Sequence, residues 1–194
     1  MVSRGILPRM VDARKLNLGC GTDIRPGWVN LDSSREIPGV DVVHDLDGLP
    51  LPFADGSFDY ILAQDVLEHL ADPVATLKEL HRILDRGGHL AIRVPHFTSR
   101  NNYIDPTHKN RFAIEWFDFF VNGSRRRAER PYYFGFTFAR LVDERITFEG
   151  GPRWSPLGPF VNWFVNLSRR SRVAYERTIL RAMPADNIIV ELEK

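Results

Sequence analysis

Cysteine is almost missing from this chain: Cys20 stands alone among 194 residues, so no internal disulfide can form and no zinc-type cysteine spacing exists. A reducing, cytoplasmic setting is the expectation. Long apolar runs are missing too. No stretch approaches the ~20 apolar residues of a bilayer-crossing helix, so no integral membrane segment is expected. Met1 to Lys15 carries arginines and a proline but no apolar core of signal-peptide length, and export by the usual route is not expected. Repeats and low-complexity segments are also lacking.

What is present is ordinary for a single domain of this length: 43% hydrophobic and 26% charged residues, enough to bury a continuous core. The net charge of +1 conceals two unlike halves. Residues 1–95 hold 10 bases against 14 acids, net −4, and residues 96–194 hold 16 against 11, net +5. Lys109 and Lys194 are the lysines of the second half, which is otherwise basic through arginine. Near-neutrality of the whole and the lack of a recognition motif argue against nucleic acid as a partner.

Short apolar runs at Lys15–Leu18, Trp28–Asp32, Val40–Asp45 and Phe58–Ala63 read as strands. Asp72 and Pro73 open an amphipathic helix with Val74, Leu77, Leu80, Ile83 and Leu84 on one face, expected to stop at Gly87-Gly88. His89–Val94 returns to strand, so the first 95 residues alternate as in a doubly wound parallel sheet. Beyond Pro95, Phe112, Trp116 and Phe119 or Phe120 stand at helical spacing. Phe136–Phe148 can supply strand, most convincingly at Arg145–Phe148. Leu157, Phe160, Val161, Phe164 and Val165 share one helix face, and Asn187–Leu192 reads as a closing strand.

Leu16-Asn17-Leu18-Gly19-Cys20-Gly21 places glycines directly after a buried strand, where backbone can approach a ligand at the sheet's carboxyl end. A dinucleotide fingerprint fits poorly. Ile24 stands where a small residue is needed, and Asp32 follows Gly21 by eleven positions instead of about twenty. A plain structural turn is the other reading of this triplet alone. Read with Gly27–Asp32, Leu49–Asp59, Val66–Leu70 and Arg82–Gly88, the chain resembles the class I S-adenosylmethionine-dependent methyltransferases. In particular it resembles a small bacterial short-loop group often encoded beside cell-surface glycan pathways. The match is close over residues 15–96 and looser at Asp105–His108 and the tail. Asp85-Arg86 replaces the usual Lys-Pro before Gly87, and the first crossover is truncated.

The resemblance implies a Rossmann-like α/β fold, a mostly parallel sheet with the last strand antiparallel, in one domain over 1–194. Residues 15–95 would bind S-adenosylmethionine, 96–186 would cover the acceptor and 187–194 would close the sheet. Leu18, Gly19, Cys20 and Gly21 would line the methionine part of the cofactor, flanked by Ala63 and Gln64. Asp32 would accept the ribose hydroxyls, though alone it also reads as a loop-capping aspartate. Asp45 would accept the adenine amino proton, with nearby Asp47 open to confusion with it, and the Leu46 backbone would read the ring edge. His69 would brace the pocket.

Transfer to a hydroxyl needs a base, and His96, Asp105 and His108 are the candidates. Asp105-Pro106 also reads as a cap with His108 exposed in the next turn. A metal is not expected, because these residues lack a fixed spacing such as H-x-x-x-H. Phe112, Trp116, Phe117, Phe119 and Phe120 read as core or as a lid. Arg125, Arg126, Arg127, Arg130, Arg169, Arg170 and Arg172 read as a solvated face, or as a grip on a phosphorylated or lipid-linked acceptor at an anionic membrane surface. The preferred activity is O-methylation of a sugar or lipid-linked glycan at the inner face of the membrane. The rivals are a methyltransferase of a quinone or aromatic metabolite and a non-catalytic cofactor-binding or membrane-peripheral module.

Overall fold

Short parallel strands buried on both faces need near-continuous apolar sequence, and the first half of the chain supplies it. The computed structural model describes residues 14–148 and 158–194. Strands β1 (Lys15–Leu18), β2 (Val29–Asp32), β3 (Val42–Val43), β4 (Phe58–Gln64) and β5 (Leu84–Pro95) are parallel; β6 (Arg140–Ile146) and β7 (Asn187–Glu193) complete the sheet in the order β3-β2-β1-β4-β5-β7-β6. β7 runs antiparallel to both its neighbours. This is the Rossmann-like arrangement expected from the sequence. Leu18 lies level with Leu31 and with Ala63, and Ala63 with Ile92. The next row, Gly19, Asp32, Gln64 and Arg93, therefore falls along the carboxyl edge of four adjacent strands.

Helix α1 (Pro73–Ile83) crosses from β4 to β5. The Asp72 carboxylate accepts from the Val74 and Ala75 amides at 3.0 and 2.9 Å, with Pro73 in the first turn. Leu77, Leu80 and Ile83 of its inner face are fully buried. The helix stops at Ile83, before the glycines. β5 starts at Leu84, and its register against β4 jumps from Leu84 opposite Phe58 to His89 opposite Tyr60. Gly87 and Gly88 are part of that irregularity, exchanging backbone hydrogen bonds with Lys194 at 2.9 and 3.0 Å. They end a strand irregularity and not a helix.

After β5 come α2 (Asn101–Ile104), a 3-10 helix at Ile114–Phe120, α3 (Arg125–Glu129), β6, α4 (Gly158–Val165), α5 (Arg169–Arg177) and a 3-10 turn at Ile179–Ala182. Several expectations change here. The third strand shrinks to two residues at the sheet edge, and the β6 ladder ends at Ile146. The aromatic segment is 3-10, burying Phe112, Phe117 and Phe120 in the core while Trp116 and Phe119 pack against it. These rings are core and not a lid. In α4, Val165 is buried but Phe160 and Phe164 are 59% and 46% exposed, so the expected single face is split; Leu157 lies outside the described residues.

Candidate functional site

Two buried asparagines fix the short loop after β1. Asn17 donates to Asp23 O at 2.7 Å, and Asn30 accepts from the Arg25 amide at 2.9 Å while donating to the Arg25 and Trp28 carbonyls. Gly19 has φ +59°, and a Cβ there would lie 2.7 Å from Val66 Cγ2, so the site admits only glycine. Gly21 has φ +49° and open space where its Cβ would stand. Between them Cys20 is buried, donating its amide to Leu31 O at 2.9 Å. Burial, then Asp32, pushes its thiol up, which keeps it protonated and inert.

Asp32 Oδ2 accepts from the Gly21 amide at 2.9 Å and Oδ1 from Ser34 at 3.0 Å. It is thus a loop latch, and each oxygen keeps a lone pair for a further donor. Asp45 is exposed and accepts from the Asp47 amide at 3.0 Å, whereas the Asp47 carboxylate is turned to the Ala71 amide at 2.9 Å and Lys109 at 3.5 Å. Leu46 is buried, 3.7 Å from where a Gly19 Cβ would stand. An open glycine cradle beside two carboxylates with spare lone pairs fits the hydroxyl and amine donors of a nucleoside.

At the ends of β4 and β5 the edge is charged. Ala63 is fully buried, and the Gln64 amide oxygen accepts from Arg93 at 2.8 and 3.2 Å. Asp65, with φ +55°, holds Arg93 in a two-point ion pair. A 3-10 turn at Leu67–His69 follows, and the segment after α2 docks on it. The Lys109 and Asn110 amides donate to Glu68 O at 2.7 and 3.0 Å, and Asn110 Nδ2 donates to Leu70 O at 2.7 Å. His108 is thereby set edge-on to His69, ring centres 4.6 Å apart. Asp105 lies 3.7 Å from His108 Nε2.

Asp65, Glu68, His69, Asp105 and His108, with Arg93 and Ile104, line a cavity of about 390 Å³. Burial, and then the charge of His69, pushes His108 down. Burial pushes Glu68 up to about 8, and hydrogen bonds from Thr107 hold Asp105 below the usual carboxylate range.

His96 does not join them. It is fully buried, Nδ1 accepting from the Thr98 amide at 3.2 Å and Nε2 set 3.1 Å from Glu176 Oε1, which also receives the Ile114 amide at 2.6 Å. Both ring nitrogens are engaged, Nδ1 within its own turn at Thr98 and Nε2 tying the end of β5 to α5, so the expected convergence of three residues reduces to Asp105 and His108. Glu68 and Thr107 escaped the sequence reading as site residues. The signal for Glu68 was present, since it adjoins His69 in Leu-Glu-His.

The arginine clusters are largely answered within the chain. Arg126 and Arg177 meet Glu115, Arg125 meets Glu129, Arg169 meets Asp118 and Glu144, and Arg172 meets Glu144. Four of the seven arginines expected as a positive grip, Arg125, Arg126, Arg169 and Arg172, are thus tied to carboxylates within the chain.

Residues 13–92 match the family described as a methyltransferase domain. The chain is 39% identical over 70 residues to the demethylmenaquinone methyltransferase of Corynebacterium urealyticum, spanning 36% of this chain and 29% of that protein. It is 33% identical over 123 residues to an uncharacterized 37.1 kDa transposon protein of Streptomyces fradiae, spanning 50% and 35%. The matches thus cover about a third of these relatives' own length. The crystal structure of an S-adenosylmethionine-dependent methyltransferase from Archaeoglobus fulgidus has a TM-score of 0.58 at 19% identity, covering 94% of this chain and 86% of that one. Over residues 13–92 the chain is thus similar to a methyltransferase domain, and its fold is that of solved S-adenosylmethionine-dependent methyltransferases, which points to S-adenosylmethionine as the cofactor.

Proposed function

We propose that the chain transfers a methyl group from S-adenosylmethionine to a hydroxyl of a sugar or lipid-linked glycan. The observation that carries the reading is the level row of Gly19, Asp32, Gln64 and Arg93, running from the open glycine turn at Gly21 towards the polar cavity at Asp105 and His108. Leu18, Gly19, Cys20 and Gly21 line the methionine portion, flanked by Ala63 and Gln64. Asp32 accepts the ribose hydroxyls through its spare lone pairs. Asp45 takes the adenine amino proton beside the Leu46 backbone, and His69 braces the wall. When bound, the cofactor supplies a methyl group on a sulfonium that an oxygen nucleophile displaces in line. The protein's work is alignment and exclusion of water, with the acceptor hydroxyl losing its proton against the wall of His69, Asp105 and His108.

The glycan acceptor rests on the family resemblance. The demethylmenaquinone methyltransferase relatives favour a quinone as the second reading. A lipid-linked glycan and a quinone are both lipid-borne. Among the described residues no helix is long and apolar enough to cross a membrane, but Phe160, Trp163, Phe164 and Leu167 on and just after α4 are 46–60% exposed, which supports peripheral contact with the inner face of an anionic membrane.

The test is transfer from methyl-labelled cofactor to cell-envelope glycolipid and quinone fractions offered separately. Label in the glycolipid supports the glycan reading, and label in the quinone fraction replaces it with the second. S-adenosylhomocysteine binding without transfer to either would leave a non-catalytic module.

A further inference from the structure

Glu68, His69 and His108 meet at one wall of the cavity, with one donor atom of each within 4.8 Å of the other two. Glu68 is fully buried, and neither of its carboxylate oxygens has a hydrogen-bond partner; buried Nδ1 of His108 has none either. Polar atoms so placed normally cost free energy unless something answers them.

The neighbouring contacts dispose His69 to offer a lone pair. Thr107 Oγ1 lies 2.6 Å from Asp105 Oδ1 and 2.9 Å from His69 Nδ1. The hydroxyl has a single proton, and the carboxylate of Asp105 can only accept it. His69 Nδ1 must then carry the hydrogen of the second contact, which leaves Nε2 as a lone pair. A carboxylate orienting a histidine through a hydrogen bond is the usual outer shell of a metal ligand. Three acceptors converge here, and the missing partner is a cation.

We infer that Glu68, His69 and His108 bind one divalent first-row metal ion, with Thr107 and Asp105 orienting His69. Two imidazoles and a carboxylate suit Zn²⁺, Mn²⁺, Co²⁺ or Fe²⁺ better than the oxygen-seeking Mg²⁺ or Ca²⁺, and three protein ligands leave positions open to the cavity. The role of the ion rests on the methyl-transfer reading: a hydroxyl held there would lose its proton more readily, as water does on a bound divalent ion, the proton passing to the Asp105 carboxylate or to water. His108 then acts as a ligand and not as a free base. The site itself does not depend on that reading.

The experiment is calorimetric titration of the chelator-stripped full chain with Mn²⁺, Co²⁺ and Zn²⁺ at neutral pH, without cofactor or acceptor. One ion per chain is expected. Glu68→Gln, His69→Ala and His108→Ala should each weaken binding at least ~10-fold, and Thr107→Val by about 10–100-fold, while His89→Ala, at the other end of β5, leaves it unchanged. Because ligand variants can unfold, ring-nitrogen NMR of the wild type provides a second measurement: Zn²⁺ should shift two of the six histidines. Absence of one-to-one binding for all three ions, as a proton held on Glu68 would give, overturns the site, as does binding that the variants and the histidine spectrum do not register. A chain that binds S-adenosylhomocysteine but none of the three ions would keep the methyl-transfer reading and remove this one. Metal binding without methyl transfer would do the reverse.

Discussion

Asp32 is held in place by the loop it serves: the Gly21 and Ser34 amides fix both of its oxygens at 2.9 and 3.0 Å before any nucleoside arrives. Such preorganisation lowers the ordering cost of binding. Asp32→Ala should therefore weaken S-adenosylhomocysteine binding by on the order of 2–4 kcal/mol, two hydrogen bonds to a charged group, as measured by calorimetry. An unchanged affinity would remove Asp32 from the ribose. A second residue-scale device is Glu79. It accepts the Leu51 amide at 2.8 Å and Arg82 at 2.6 and 2.9 Å, and Arg82 in turn reaches Phe53 O at 2.9 Å. These hydrogen bonds from Arg82, first, hold the Glu79 carboxyl below its ordinary range against the opposing effect of burial. Its contribution is thus complete above the ordinary value of about 4.3 and is lost as pH falls through the lower folded-state value. Glu79→Gln should cost about 1–3 kcal/mol at pH 7, and urea unfolding should find its gap from the wild type closing below pH 4.

At the scale of elements, what could be read from the sequence was what is local. The Asp72-Pro73 start of α1 is chemistry within four residues. Asp72→Ala should lower stability by about 1 kcal/mol, seen as a shifted denaturant midpoint with an unchanged slope; no shift would mean tertiary packing alone sets the helix start. The β1 turn and the alternation of short parallel strands with their connections were equally legible, because each rests on a short apolar run and the turn that follows it. The helix end was not. Gly87-Gly88 reads as a stop signal, but the glycines serve a strand irregularity closed by Lys194, more than a hundred residues away. His96 misled for the same reason. Its position at a strand end suggests chemistry, and only the fold brings Glu176 to it, 80 residues on. Glu68 presents the opposite case: adjacent to a recognised histidine, it gains its meaning only when residues 105–110 dock against Leu67–His69.

For the whole molecule, the excess charge of the second half lies outside its ion-paired cluster. Arg126, Arg169, Arg172 and Arg177 pair with Glu115, Asp118 and Glu144 of the same half, pairs already cancelled within the net +5, so these four arginines offer no open positive patch to a partner, and exposed charges are further weakened by salt. The apolar surface of α4 is not compensated in this way. If the protein works on a lipid-borne acceptor, binding to vesicles should rest mainly on Phe160, Trp163, Phe164 and Leu167 and only partly on charge. Burying one large side chain supplies about 1.5–3 kcal/mol, so Trp163→Ala should weaken vesicle association by roughly tenfold or more, read by co-sedimentation. Raising salt past physiological strength should weaken it on anionic vesicles by less than that and leave neutral vesicles unaffected. A Trp163→Ala variant that binds as well as wild type would remove α4 from the membrane. Loss of all binding in salt would return the dominant role to the arginines.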